Sequence, residues 1–166
     1  LVNADTRVGY SGATDTALHL LPVDYSNAQT GDRLATNGGT LNVSADSKGD
    51  KVSLQGDFSS IAVTSKNQLQ QPVLFTLNGL KLGGDTHLSP EGVRVGDQTI
   101  TLDKLDASIN GQEGLTLEKL DGKSSFDNKD GKIGGQIDYQ VDSISLQKQP
   151  FGEAKLAMKF AQFDAQ

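Results

Sequence analysis

Hydrophobic residues alternate with polar residues over long stretches of this chain, and this period of two constrains the fold more than any other feature. Successive side chains of a β-strand point to opposite faces, so strict alternation is typical of a strand with one covered face. The alternation runs through Leu41, Val43 and Ala45, stops at 46–50, and resumes at Val52. Because the interruption contains Asp and Gly, the segment predicts a hairpin with its turn at 46–50.

The same reasoning predicts turns at 96–98 and 127–131, where Gly, Asp and Asn interrupt alternating segments. Further strands are predicted over 8–10, 17–21 and 58–63, and a long strand pattern covers 133–146. The phase of this last pattern slips by one residue at Asp142-Ser143, which indicates a β-bulge.

One segment is compatible with two structures. Segment 153–163 fits a helix face as well as a strand, but Lys155 and Lys159 share the parity opposite to the apolar residues, and we predict a strand. Segment 65–71 is polar, rich in Gln and followed by Pro72, and it is predicted to be an exposed, mobile connection.

A short repeat places two leucines three residues apart. It occurs as Thr76–Lys81, Thr101–Asp106 and Thr116–Asp121, each beginning Thr-Leu and carrying Leu again at its fifth position. A regular strand would send these leucines to opposite faces. The strand is therefore either bent between them or covered on both sides, and we favour the bend.

Together these patterns predict an all-β fold with little helix. We expect one domain over residues 1–166, built as a large curved antiparallel meander of about nine to thirteen strands, in the form of a half-barrel or a folded sheet. The excess of Asp over Glu, 17 to 4, and the 19 Gly agree with many turns.

Charge and composition exclude several classes of function. A net charge of −6 with scattered Lys and Arg argues against nucleic-acid binding, which needs a concentrated basic surface. No apolar run approaches the ~20 residues of a membrane-spanning helix. The absence of Cys excludes a disulfide framework, a thiolate metal site and a cysteine nucleophile.

Three arrangements resemble chemical sites, and a structural role is favoured for each. Gly9–Ala13 approaches the pattern of a nucleophile elbow around Ser11, but no helix pattern follows, and only His19 and His87 are available as bases. Segment 127–133 resembles part of a calcium loop, but Phe126 and Ile137 stand where carboxylates are required. Asp138 and Asp142 share one strand parity at about 13 Å, too far apart to act as an acid–base pair. We therefore predict no catalytic, cofactor-binding or metal-binding residues.

An apolar surface is a more informative candidate. Val73–Leu77 carries large residues on both parities, so this strand should be covered on both faces, by protein or by an apolar ligand. The residues predicted to line an apolar groove, or else to fill a core, are Val73, Phe75, Leu77, Ile137, Tyr139 and Val141.

Several segments resemble the middle region of the YdgA/YihF-like family over about Arg7 to Asp164. The likeness lies in 7–12, 41–46 with Gly49, 52–56, 94–98, 122–124, 128–132, 137–139 and 152–156, which keep a similar order and spacing. The resemblance implies a bacterial envelope protein with an N-terminal membrane anchor and a periplasmic body that self-associates. It supplies no catalytic residues, and the family's biochemical role is undefined. The chain would then be an internal portion of a longer anchored protein.

We therefore expect a non-enzymatic periplasmic module that is tethered to the inner membrane only through a flanking anchor. It would act as a structural or interaction domain, with a second copy as one partner. The alternative is a carrier that binds lipid or lipoprotein chains in an apolar concave sheet, with lipid or another envelope protein as partner. No cofactor is expected.

Overall fold

The computed structural model describes residues 2–164, apart from the side chain of Gln162. Eleven antiparallel strands account for most of this range. Their bounds are β1 Val2–Val8, β2 Thr14–Leu20, β3 Val23–Ser26, β4 Arg33–Thr36, β5 Gly39–Ala45, β6 Lys51–Lys66, β7 Pro72–Leu88, β8 Arg94–Ile109, β9 Gln112–Lys129, β10 Lys132–Leu146 and β11 Gln149–Asp164.

All eleven strands belong to a single open sheet, which does not close into a barrel. The strand order is β1-β2-β5-β6-β7-β8-β9-β10-β11, while the short β3–β4 hairpin pairs with the distal half of β6. The predicted all-β antiparallel meander is therefore confirmed, and the strand number falls inside the predicted range. The strand predicted over 153–163 lies within β11.

The turn predicted at 46–50 is confirmed, with Gly49 at φ 72°. The turn predicted at 127–131 is narrower, since β9 and β10 are joined by Asp130-Gly131 alone, at φ 54° and 75°. Both residues have positive φ, as a two-residue hairpin turn requires. The bulge predicted at Asp142-Ser143 is confirmed by a shift in the register of β10 against β11 between Val141 and Ile144.

The turn predicted at 96–98 is wrong. Strand β8 runs through this segment, and the chain reverses earlier, at Ser89–Val93, where Ser89 and Val93 close the turn through their backbones. Gly96 has φ 133° within the strand, and a Cβ there would overlap Asp85 O and Thr86 Cα. Gly96 therefore allows a close approach of two strands rather than a turn. The strand predicted at 8–10 ends at Val8, because Gly9–Ala13 forms a turn closed by Gly9 N–H to Ala13 O.

A line of interrupted pairing crosses the sheet at the middle of each long strand, and we call it the crease. It passes through Ser59, Gly79, Asp103, Lys119 and Asp142, where cross-strand pairs are missing from otherwise continuous ladders. Gly79 and Lys119 have φ 65° and 52°, and a strand residue in the left-handed region re-aims the side chains that follow it.

The crease explains the repeated leucines. In β9, Glu118 and Lys119 are both exposed, while Leu117 and Leu120 on either side of them are half-buried. Lys119, in the left-handed region at φ 52°, lies between the two leucines and bends the strand there. The predicted bend is confirmed in β9, and Gly79 holds the same place in the copy in β7.

The sheet is a single layer with little interior. Among the described residues, Val95 and Leu102 alone are buried hydrophobic side chains. The protein exposes 11081 Å², whereas a compact monomer of 17.5 kDa exposes about 7,900 Å². This sheet therefore presents far more surface than a packed two-layer domain of its size.

The β3–β4 hairpin is held by a forked ion pair. Arg33 Nε donates to Asp24 Oδ1 at 2.7 Å, and Arg33 Nη2 donates to Asp24 Oδ2. The hydrogen bonds from Arg33 lower the pKa of Asp24 below its ordinary value of 3.8. Because the pKa is depressed in the folded state, this contribution to stability is present above pH 3.8 and is lost as pH falls through the lowered value.

We expect Arg33→Ala to raise the pKa of Asp24 towards its ordinary value, because the donors that favour the carboxylate are removed. Titration of the Asp24 carboxyl carbon by NMR measures this shift directly. Lys81→Ala, which removes a partner of Asp57 on β6, is the control and should leave Asp24 unchanged. An Asp24 pKa that is equal with and without Arg33 would contradict the assignment.

Candidate binding site

One face of the sheet carries no charge over a large area. Residues that are directly paired on neighbouring strands lie on the same face, and so do residues two apart along a strand. Three such rows run from β6 to β11, and we call them together the uncharged face. The rows are Val52-Thr86-Gly96-Phe126-Gly135-Phe160, Leu54-Gly84-Gln98-Ser124-Ile137-Met158 and Gly56-Leu82-Ile100-Gly122-Tyr139-Leu156.

The opposite face of the same strands is strongly charged. None of the 18 residues of the uncharged face is ionisable except the Tyr139 phenol, whereas nine of the 18 on the interleaved rows are Asp or Lys. These nine are Asp57, Lys81, Asp85, Asp97, Asp121, Lys123, Asp138, Lys155 and Lys159. The charged face is therefore suited to contact with water, whereas the uncharged face can contact an apolar molecule.

A trough of about 480 Å³ lies on the uncharged face. Its apolar walls are formed by Val52, Leu54, Leu82, Ile100 and Tyr139 from β6, β7, β8 and β10. Gly84 and Gly122 contribute backbone to its lining, and the absence of a side chain at Gly84 leaves open space in the trough. The volume lies within the ~300–1,000 Å³ typical of small-molecule sites.

The Tyr139 ring lies directly over Gly122. A Cβ on Gly122 would overlap this ring and would come within 2.7 Å of Ile100 Cγ2. Phe126 and Phe160 cover Gly135 in the same way, at 2.8 and 3.0 Å from the position of its absent Cβ. An aromatic ring over a strand glycine on a neighbouring strand compensates for the missing side chain. The uncharged face is therefore built in part from glycines that are covered by aromatic rings on neighbouring strands.

Arg94 also borders the trough, and it is the charged side chain among its lining residues. Its Nη2 donates to Gly49 O at 2.8 Å, and its Nη1 lies 3.3 Å from Thr86 Oγ1 and 3.5 Å from Asp50 O. All three acceptors are uncharged, and no carboxylate of the described residues forms an ion pair with Arg94. Arg94 is thus a positioned cation without a counter-ion in residues 2–164.

The structure separates the six residues predicted to line a groove into two sets. Ile137 and Tyr139 lie on the uncharged face, and Val141 follows them on β10. Val73, Phe75 and Leu77 lie on β7 beyond the crease, paired with Ile109, Ala107 and Leu105 of β8. Two strands and the crease lie between the sets.

Neither set fills a packed interior, since Phe75 is 50% exposed and Tyr139 39% exposed. Sequence reasoning missed Leu82 and Ile100 as neighbours of Tyr139, although each alternates with polar residues along its own strand. The alternation identified the face, but only the register of four strands brings these residues together.

The arrangements that resembled chemical sites have structural partners instead. Ser11 lies in the exposed β1–β2 turn, where its Oγ is 3.5 Å from Ala13 N, and a strand follows rather than a helix. Asn128 donates to Glu91 Oε2 and Ser89 Oγ, and so joins the end of β9 to the 89–93 turn. Within residues 2–164, no group of three or more His, Cys, Asp or Glu side chains is placed to hold a metal ion. The described part of the chain also contains no helix long and apolar enough to cross a membrane.

Comparison with known proteins gives the family. The model of a family described as "Bacterial protein of unknown function (DUF945)" matches residues 1–166. The chain belongs to this family. Protein YdgA of Escherichia coli (strain K12) is 35% identical over 164 residues, which cover 98% of this chain and 32% of YdgA. The chain thus spans about a third of the length of this DUF945 relative, and no solved structure is significantly similar to it.

Proposed function

We propose that this DUF945 chain is a non-enzymatic interaction module of the bacterial envelope that self-associates through the outer edge of β11. The module would lie in the periplasm, tethered by an anchor outside these 166 residues. The resemblance to the YdgA/YihF-like family supports this location. The position of Ser11 in an exposed turn, and of Asn128 near the end of β9, favours a role without catalysis.

The unpaired edge of β11 carries the proposal. In residues 2–164, β11 pairs with β10 on one side and has no partner on the other. Its ladder with β10 is regular from Ala154 to Phe160, so its outer edge offers a straight run of backbone donors and acceptors. Leu156 and Met158 are 51% and 46% exposed on this strand. A long edge of this kind is a template for adding another strand.

The sequence of β11 is complementary to itself in antiparallel pairing. If Leu156 lies opposite Leu156 of a second copy, then Glu153 of each copy lies opposite Lys159 of the other. Opposite charges that face each other across strands stabilise such pairs, and the apolar parity of both strands stays on one face. The register also satisfies the twofold symmetry of most homodimers. A second copy is therefore the partner that fits this edge.

A cysteine at the centre of this register tests the proposal, and the chain contains no native Cys. Residues directly opposite in an antiparallel pair have Cα atoms ~4.5–5.5 Å apart, which a disulfide can span. We expect Leu156→Cys in the full-length protein to form a disulfide-linked dimer under mild oxidation. Non-reducing electrophoresis and native mass spectrometry provide the measurement.

Glu153→Cys is the matched control, because its two copies would be about 20 Å apart in this register and should not cross-link. Charge reversal adds a second readout: Glu153→Lys should weaken the dimer, and Glu153→Lys with Lys159→Glu should restore it. A monomeric protein in which Leu156→Cys does not cross-link would overturn the proposal, and would indicate that another strand of the same protein covers this edge.

A further inference from the structure

We infer that the trough on the uncharged face binds one molecule of an anionic lipid, with the alkyl chain on the apolar walls and the phosphate at Arg94. This inference does not depend on self-association through β11, because the trough is lined by residues of β6 to β10.

The walls suit an alkyl chain. Val52, Leu54, Leu82, Ile100 and Tyr139 present apolar surface, and the three rows around them contain no charged group that a hydrocarbon would have to desolvate. The uncharged face extends over six strands, about 24 Å at ordinary strand spacing. Thr86, Gln98 and Ser124 add uncharged polar groups to the lining, so an extended chain can lie across the strands without meeting a charged group.

Arg94 suits the head group. It lies two residues before Gly96, on the same face and at the end of the trough towards the 46–50 turn. A guanidinium has five N–H donors, and three contacts to Gly49, Thr86 and Asp50 hold it in place. Two donors remain for a ligand, and phosphate matches the fork of an Arg side chain.

A neutral apolar molecule would leave the charge of the Arg94 guanidinium without a partner. A second copy of the uncharged face would bring two Arg94 side chains into the same apolar interface, each without a carboxylate. An anionic lipid is the occupant that satisfies both the walls and the charge.

Native mass spectrometry of the full-length protein tests the inference after incubation with phosphatidylglycerol vesicles, and separately with monoolein, which is neutral. We expect one retained phosphatidylglycerol per chain and weaker retention of monoolein. Arg94→Gln should lower the affinity for phosphatidylglycerol about tenfold, as expected for loss of a charge-assisted pair, and leave monoolein unchanged. Lys81→Gln on the charged face makes the same change in net charge and should have no effect.

Gly84→Leu tests the walls. The nearest atoms to a Cβ at Gly84 are 3.4 and 3.6 Å away, which is ordinary contact, so the new side chain should fill the trough without breaking the sheet. We expect at least a tenfold loss of both lipids, whereas Ser125→Leu on the opposite face should retain them. Circular dichroism confirms folding of each variant. No retained lipid in the wild-type protein, or equal retention with Gly84→Leu or Arg94→Gln, would overturn the inference.

Discussion

We expect Gly122→Val to destabilise this protein by about 3 kcal/mol, at the upper end of what overpacking costs. The new side chain would occupy the space of the Tyr139 ring and would come too close to Ile100 Cγ2. Gly122 is buried between these side chains on the uncharged face, so the ring can relieve the overlap only by leaving the sheet. The shift of the urea unfolding midpoint measures this loss.

The control for this substitution is Gly9→Ala. Gly9 does not have positive φ, and the nearest atoms to its absent Cβ are 3.7 Å away, so this change should alter stability by less than about 0.5 kcal/mol. Tyr139→Ala should remove most of the additional cost of Gly122→Val, because the overlapping ring is gone. If the two changes are additive in a double-mutant cycle, the ring does not cover Gly122 as the structure describes.

Leu102→Ala should cost about 2 kcal/mol, a value at the low end for buried leucines. Leu102 is 7% exposed and pairs directly with Leu120 on β9. In a single layer the space left behind opens to solvent instead of remaining an enclosed cavity, and this limits the cost. Thermal unfolding followed by circular dichroism measures the effect.

Leu69→Ala removes the same atoms from a side chain that is 76% exposed in the 67–71 turn. We expect a change below about 0.5 kcal/mol there. If Leu102→Ala and Leu69→Ala lower the free energy of unfolding equally, then the middle of the sheet contributes no more to stability than an exposed turn. That result would contradict the burial of Leu102.

The strands of this fold were predictable because alternation is a local signal. Leu41 to Leu54 identified one hairpin, and the odd spacing of leucines identified the bend that Lys119 forms with its positive φ. The misplaced turn at 96–98 has a physical cause. Gly-Asp-Gln is typical of a turn, but Gly96 is used for a close approach to Asp85 and Thr86, and no local pattern distinguishes these two uses of glycine.

The candidate site was predictable only in part. Tyr139 and Ile137 lie on the uncharged face, whereas Phe75 and Leu77, which the sequence groups with them, lie beyond the crease. The trough needs the five strands β6 to β10 in register, and cross-strand register is a property of the whole sheet. Arg94 gave no signal in sequence, because its role depends on the absence of a nearby carboxylate in three dimensions.

The single-layer architecture has a consequence for how the fold is lost. Each strand contacts only its neighbours in the sheet, as each unit of a repeat protein contacts only the adjacent units. Unfolding should then proceed by peeling strands from the ends, with β7 to β9 opening last. An added strand or a bound ligand would therefore protect the adjacent strands most strongly against unfolding. Distant strands of the sheet would be protected only weakly.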